Sequence, residues 1–200
     1  VVRFLFFNST IIPDFSIYDM KPRKDIFFLV GFMGVGKSHL GQRLAWQLNR
    51  EFVDTDELIE DREQMSISSI FSERGELAFR TLEREVIRGL IPKKNLVVAT
   101  GGGLPIYGNL MDVLLQNGTT IYLEANEKLI LNRLVKEKEH RPLLKNKTDL
   151  EIEIYILESL NTRSPIYEKA HLIFDLRGDF KKDEQDFLAM FKPPLAEFEW

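Results

Sequence analysis

Gly31, Gly36, Lys37 and Ser38 complete the pattern G-x-x-x-x-G-K-[ST] within GFMGVGKSHL, a spacing suited to holding phosphate. Glycines at these positions let the backbone curl until its N–H groups face phosphate oxygens, and a following helix N-terminus adds partial positive charge. Lys37 is placed to reach β- and γ-phosphates, and the Ser38 hydroxyl suits Mg²⁺. The pattern arises by chance in roughly one chain of this size in a hundred, and its position between an apolar run and a helical pattern lowers that further. A glycine turn that only caps a helix is the bland alternative. Such a loop implies a nucleotide without naming a reaction, since GTPases, motor ATPases and small-molecule kinases share it.

A second pair of groups could supply the reaction. Asp54 and Asp56 in FVDTDE occupy alternate positions near a strand end, which aims both carboxylates at the crevice above the carboxyl ends of the strands. One could hold Mg²⁺ through water and the other accept a hydroxyl proton. An aspartate in this place also commonly caps a helix. NLVVAT ends in Thr100 and Gly101–Gly103 and offers no acid, and Asp175 comes late in the chain. The triple glycine directly after a strand permits close approach of a ligand, although alone it reads as a flexible turn.

These residues need elements to position them. DIFFLV (25–30) reads as a buried strand, and Leu40, Leu44 and Leu48 recur at helical spacing after the loop. EFVDTD is a short strand followed by a helical region to about Asp61, and SISSIFSERG is a short helix closed by Gly75. ELAFRTLEREVIRGL places Leu77, Leu82, Val86 and Ile87 broadly on one face with its charges elsewhere. NLVVAT, TTIYLEA and HLIFDL are further strands. Helices are expected near 108–117, after an Asn126 cap, from about Asp149 to Ser164 ahead of Pro165, and in DEQDFLAMF. Strands alternating with helices imply an α/β domain with a mostly parallel sheet covered on both faces.

The 200 residues suit one domain with a substantial core, and 44% hydrophobic with 29% charged residues is a globular composition. A net charge of -4 argues against a nucleic-acid partner. Without cysteine there is no disulfide, thiolate ligand or cysteine nucleophile, which suits a cytoplasmic location. No apolar run reaches the ~20 residues of a membrane span. The opening VVRFLFFNSTIIPDFSIYD carries one Arg and a short apolar patch, but Asn8, Pro13, Asp14 and Asp19 interrupt it and no cleavage pattern follows, so a signal peptide is not expected. Residues 1–19 read as an N-terminal extension, with Met20 an alternative start, and 20–200 as the single domain. The N-x-[ST] triplets at Asn8, Asn117 and Asn146 are chance matches in this setting.

GFMGVGKS, FVDTD, SISSIFSERGELAFRTLE, ATGGG, HRPLL and TRSPIYEKA, in this order from about Asp25 to Asp175, resemble the shikimate kinase family. The resemblance implies a three-layer α/β/α fold of the nucleoside monophosphate kinase type, with five parallel strands in the order 2-3-1-4-5. It implies ATP-dependent phosphorylation of the 3-hydroxyl of shikimate on the route to aromatic amino acids, with Mg²⁺ as cofactor. By position, Gly34, Val35, Gly36, Lys37, Ser38, His39, Arg133 and Arg141 resemble the family's ATP contacts, with Ser38 and Asp54 serving the metal. Asp56 resembles the acid at the acceptor hydroxyls, Arg80 and Arg163 the arginines that grip the acceptor's carboxylate, and Phe71 and Phe79 the walls of its ring. Gly101, Gly102 and Gly103 resemble the glycine stretch against the acceptor, and KEKEHRPLL the lid (about 139–148), whose Arg141 joins Lys37 and Asp56 as the catalytic group.

Planar guanidinium groups can hold a carboxylate bidentately, and Glu83, three residues after Arg80, could steady that side chain. His39 stands where the family usually has Thr, which removes a hydroxyl contact to the α-phosphate. LPIYGN and the tail FKPPLAEFEW have no assigned role. A monomer is expected, with ATP and shikimate as its partners. Another small-molecule kinase, such as one for gluconate, and a non-catalytic regulatory module are the rival readings.

Overall fold

The computed structural model describes residues 2–4, 25–138, 141 and 143–192. In chain order the elements are β1 (Val2–Phe4), β2 (Ile26–Val30), α1 (Lys37–Leu48), β3 (Glu51–Asp54), α2 (Thr55–Glu63) and α3 (Ile67–Leu90). There follow β4 (Leu96–Ala99), α4 (Leu110–Asn117), β5 (Thr119–Ala125), α5 (Glu127–Glu137), α6 (Asp149–Tyr167), β6 (Leu172–Leu176) and α7 (Phe180–Ala189). The strands form one parallel sheet in the order β1-β6-β5-β2-β4-β3. The five expected strands keep the expected order 2-3-1-4-5 when counted from β2. Val2–Phe4, within the segment read as an extension, adds a sixth strand beside β6, with Phe4 opposite Phe174.

β2 lies at the sheet's centre because every residue in it is apolar and both its faces are covered. Alternation sends Phe27 and Leu29 into one core, with α1, α5, α7 and the first half of α6. It sends Ile26, Phe28 and Val30 into the other, with α3, α4 and Tyr167. The carboxyl ends of β2, β3 and β4 therefore open side by side, and the loop, the aspartates and the triple glycine leave from that edge.

Three local expectations are corrected. α3 runs from Ile67 to Leu90 across a break at Gly75, where φ 79 and ψ 171 are left-handed and non-helical. On the helix after the break Leu77 lies about half a turn around from Val86, so it faces solvent (71% exposed), and the buried stripe instead runs Phe79, Glu83, Val86, Ile87 and Leu90. One charge, Glu83, thus lies on the apolar face. α6 continues through Pro165 to Tyr167. Proline this close to the end forfeits one hydrogen bond, and the last turn still closes through Glu168 N–H to Ser164 O at 2.9 Å. α7 starts before DEQDFLAMF because Asp179 caps it, accepting from Lys182 N–H.

Candidate active site

α1 begins without a side-chain cap: its N-cap is Gly36, at φ 98, and no side chain accepts from the first turn. α2, α3, α5, α6 and α7 are all capped by side chains. The first N–H groups of α1 thus remain available to an anion. Lys37 is buried and folds back along the loop, Nζ donating to Gly31 O (3.0 Å) and Phe32 O (2.8 Å). Burial lowers its pKa to about 8 against the opposing pull of Asp56 and Asp54.

Asp54 does two jobs at once. It ends β3 and caps α2, Oδ1 accepting from Asp56 N–H at 2.9 Å, while Oδ2 accepts from Ser38 Oγ at 2.6 Å. Asp56 is not on the strand as expected but in the first turn of α2. The capped turn still brings it to the same crevice, because Asp54, Asp56, Lys37 and Ser38 line one cavity of 210 Å³. Asp56 Oδ1 is buried without a hydrogen-bond partner. Burial first, then the charge of Asp54, raises its pKa to about 6.

The triple glycine packs where side chains would collide. A Cβ at Gly101 would sit 2.5 Å from Asp56 Oδ1, and one at Gly103 would sit 2.7 Å from Arg80 Nη1. Arg80 is fixed by Glu83 (Nη1 to Oε2, 2.8 Å) and Glu76 (Nη2 to Oε1, 3.0 Å). Phe71 and Phe79 stack with ring centroids 4.7 Å apart, and the Arg80 guanidinium lies 5.5 Å from the Phe79 ring. Arg163, from α6, lies 5.4 Å over Phe32 and is hydrogen-bonded with Tyr167, whose hydroxyl donates to Gly102 O at 2.5 Å. Arg80 therefore lies against the glycine segment directly, and Arg163 is linked to it through Tyr167.

On the opposite side Arg141 lines the phosphate cavity and makes a two-nitrogen pair with Glu137 (2.6 and 3.1 Å). The pair is partly exposed, 31% and 50%, so it holds Arg141 by only about 0.3–0.5 kcal/mol. Arg133 donates to Gly34 O (3.2 Å) and Val35 O (2.9 Å), bracing the loop from α5. His39 also lines the cavity, but its Nε2 is 2.6 Å from Glu184 Oε2 and its ring lies 4.6 Å from Phe180. A larger depression of 770 Å³ between β5, α5 and α6 contains none of the loop residues, and we place no chemistry there.

The family model for shikimate kinase matches residues 33–191. The chain belongs to the shikimate kinase family. It is 38% identical to the shikimate kinase of Azobacteroides pseudotrichonymphae over 84% of its length and 98% of that protein. The crystal structure of shikimate kinase from Bacteroides thetaiotaomicron superposes with a TM-score of 0.76 at 34% identity, covering 82% of this chain and 97% of that one. Shikimate kinase from Acinetobacter baumannii, solved in complex with shikimate, gives 0.75 at 35% identity, covering 84% and 92%. Membership makes the chain an ATP-dependent kinase.

Several residues of this kinase site had no part in the reading of its sequence. Glu137 and Met33 line the cavity beside Lys37 and Ser38. Tyr167 closes the link between Arg163 and Gly102, and it stands within the motif TRSPIYEKA, so the motif itself was available as a signal. Glu184, 145 residues from His39, had no local signal at all.

Proposed function

We propose that this shikimate kinase-family chain transfers the γ-phosphoryl group of Mg-ATP to the 3-hydroxyl of shikimate. The observation that carries this reading is the meeting of two half-sites at Asp56. On one side lie an uncapped helix end, Lys37 and Ser38. On the other lies the glycine segment flanked by Arg80 and Arg163. A phosphate donor and a small carboxylated acceptor are what these two chemistries select.

The donor set fits Mg²⁺. Ser38 and Asp54 present adjacent oxygens, and the described residues contain no larger cluster of metal ligands, which matches an ion that takes most of its ligands from phosphates and water. Ser38 and Asp54 would hold the ion, which would supply positive charge to offset that of the phosphates. The protein does the rest. The loop N–H groups and Lys37 hold the β- and γ-phosphates in place, and Arg141, released from Glu137, adds charge where the transferring group spreads its own. Arg80 and Arg163 fix the acceptor by its carboxylate, and Asp56 accepts a hydrogen bond from the acceptor hydroxyl, aligning its oxygen with the γ-phosphorus. Arg133 buttresses the loop under the nucleotide, and His39, tied to Glu184, stands in for the usual Thr at the edge of the phosphate site.

No helix among the described residues is long and apolar enough to cross a membrane. We place the enzyme in the cytoplasm as a monomer.

A coupled assay of ADP release with Mg-ATP tests the reading: turnover should require shikimate and stay at the acceptor-free rate with gluconate. Turnover with gluconate alone would replace the acceptor, and ATP binding without turnover on either would favour a regulatory module. Gly101→Ala tests the packing of the site. Its methyl group must displace Asp56, so we expect a stability loss of about 1–3 kcal/mol and a fall of at least about tenfold in kcat/KM for shikimate, since small misplacements of reacting groups are costly. An unperturbed kcat/KM with a normal melting temperature would show that the carboxylate has room to move.

A further inference from the structure

We propose that Glu83 is a positioning residue that acts through Arg80: with a proton on Glu83 Oε1, Arg80 is free to pair with the acceptor's carboxylate, so acceptor binding draws a proton onto Glu83. This rests on the shikimate reading above. It concerns a residue whose evident role is only to steady an arginine.

The geometry assigns the proton its place. Glu83 is 1% exposed, on the apolar face of α3. Oε2 accepts from Arg80 Nη1 at 2.8 Å, whereas Oε1 is buried with no partner. An ionised carboxylate with one orphaned oxygen in such a place is costly. The groups facing Glu83 are Arg80 and Glu76 from α3, Asp56 from α2, and the backbone of Gly101. Asp56 Oδ1, the other orphaned oxygen, crowds the same spot: a Cβ on Gly101 would lie 2.5 Å from it and 3.2 Å from Glu83 Oε1. A proton on Oε1 gives this spot a donor and leaves the Oε2 bond to Arg80 intact.

Arg80 supplies the coupling. Its two counter-ions differ in reach: Glu76 is 66% exposed and screened by water, while Glu83 is buried. With Glu83 ionised, the single positive charge of Arg80 is already offset inside the protein, and an incoming carboxylate meets Glu83, Glu76 and Asp56 as well. With Glu83 neutral, the arginine charge is available. The burial of Glu83, opposed by Arg80, raises its pKa to about 7, which places the exchange in the working pH range. Binding an anion at Arg80 favours the protonated form further, so the pKa rises in the complex and a proton is taken up from solvent.

Isothermal titration of the nucleotide-free full chain with shikimate at pH 7.5, in HEPES and in Tris, reads the linkage directly. The wild type should show net proton uptake, and its Kd should weaken about tenfold between pH 6.5 and 9, the fold-change of one pKa unit. Glu83→Gln still accepts from Arg80 through its amide oxygen but cannot titrate, so its uptake should fall below that of the wild type and its Kd lose the tenfold pH dependence that Glu83 contributes. Lys37 and Asp56 titrate in both proteins and drop out of the difference. Glu76→Gln should keep the uptake. Buffer-independent heats in the wild type, or uptake unchanged in Glu83→Gln, would overturn the proposal, and the first of these results overturns it even if that variant fails to fold. Absence of shikimate binding in either buffer would remove the acceptor assignment and the proposal with it.

Discussion

Lys37→Met is expected to lower kcat by about a thousandfold while shikimate binding, measured without nucleotide, stays within about twofold of wild type. Lys37 is the buried cation of the loop, and its ammonium bonds two loop carbonyls, Gly31 O and Phe32 O. Nucleotide phosphates entering the cavity meet this charge in a site largely shielded from water, where its effect on a developing charge is strongest. Methionine keeps the length and removes the charge. It also leaves the two carbonyls without their donor, so the melting temperature must be measured alongside. Lys37→Arg is not expected to rescue, because a planar guanidinium fork does not reproduce the compact charge that an ammonium presents. The burial that lowers the lysine's pKa to about 8 adds a second signature: without nucleotide, the variant should lose a group titrating near that pH. A folded Lys37→Met enzyme with wild-type kcat would falsify the role of the loop lysine.

The residues we propose for phosphate come together through a local stretch of chain. Its loop, lysine and hydroxyl lie within eight residues, and the strand and helix around it each carry a clear periodicity. The order of the five central strands followed from the resemblance and holds in the sheet. The half we propose for the acceptor draws on α2, α3, the glycine segment and α6, and only the order of the motifs tied those pieces together.

Where the reading failed, a distant contact or a single backbone angle decided the matter. The helix read as closing at Gly75 continues past that one non-helical residue, and on its second part Leu77 lies about half a turn from Val86 and is exposed while Glu83 falls on the buried stripe. No periodicity can foresee a buried carboxylate, because burial of Glu83 depends on Arg80 beside it and on the missing side chain of Gly101. Asp56 illustrates the opposite case. Its place was read as a strand position and is in fact a helical turn, yet the Asp54 cap bends the chain so that the carboxylate reaches the same crevice. The pairing of His39 with Glu184 joins α1 to α7 and was invisible for want of any local pattern.

Asp56→Asn is the sharpest test of the acceptor half. The carboxylate is buried with Oδ1 unpartnered and aimed at the glycine segment, while Asp54 beside it is fully engaged by Ser38 and the α2 turn. A pKa near 6, raised by burial and by Asp54, leaves Asp56 ionised at neutral pH and basic enough to accept a hydroxyl proton as the new P–O bond forms. Asparagine preserves the shape and one acceptor oxygen but cannot take the proton and turns a donor toward the hydroxyl in one of its two orientations. We expect kcat to fall by about a hundredfold to a thousandfold. Kd for ATP should hardly move, because the loop, Lys37 and Ser38 are untouched. The pH profile separates proton acceptance from positioning. In the wild type, activity carried by an ionised Asp56 declines as pH falls through about 6. If Asp56 is the base, the residual activity of Asp56→Asn loses that decline and rises instead with pH as the hydroxyl must ionise unaided. If it only positions the hydroxyl, the variant's activity is lower and flat. A variant that retains both wild-type kcat and the acid limb would move the acceptor to other residues of the crevice.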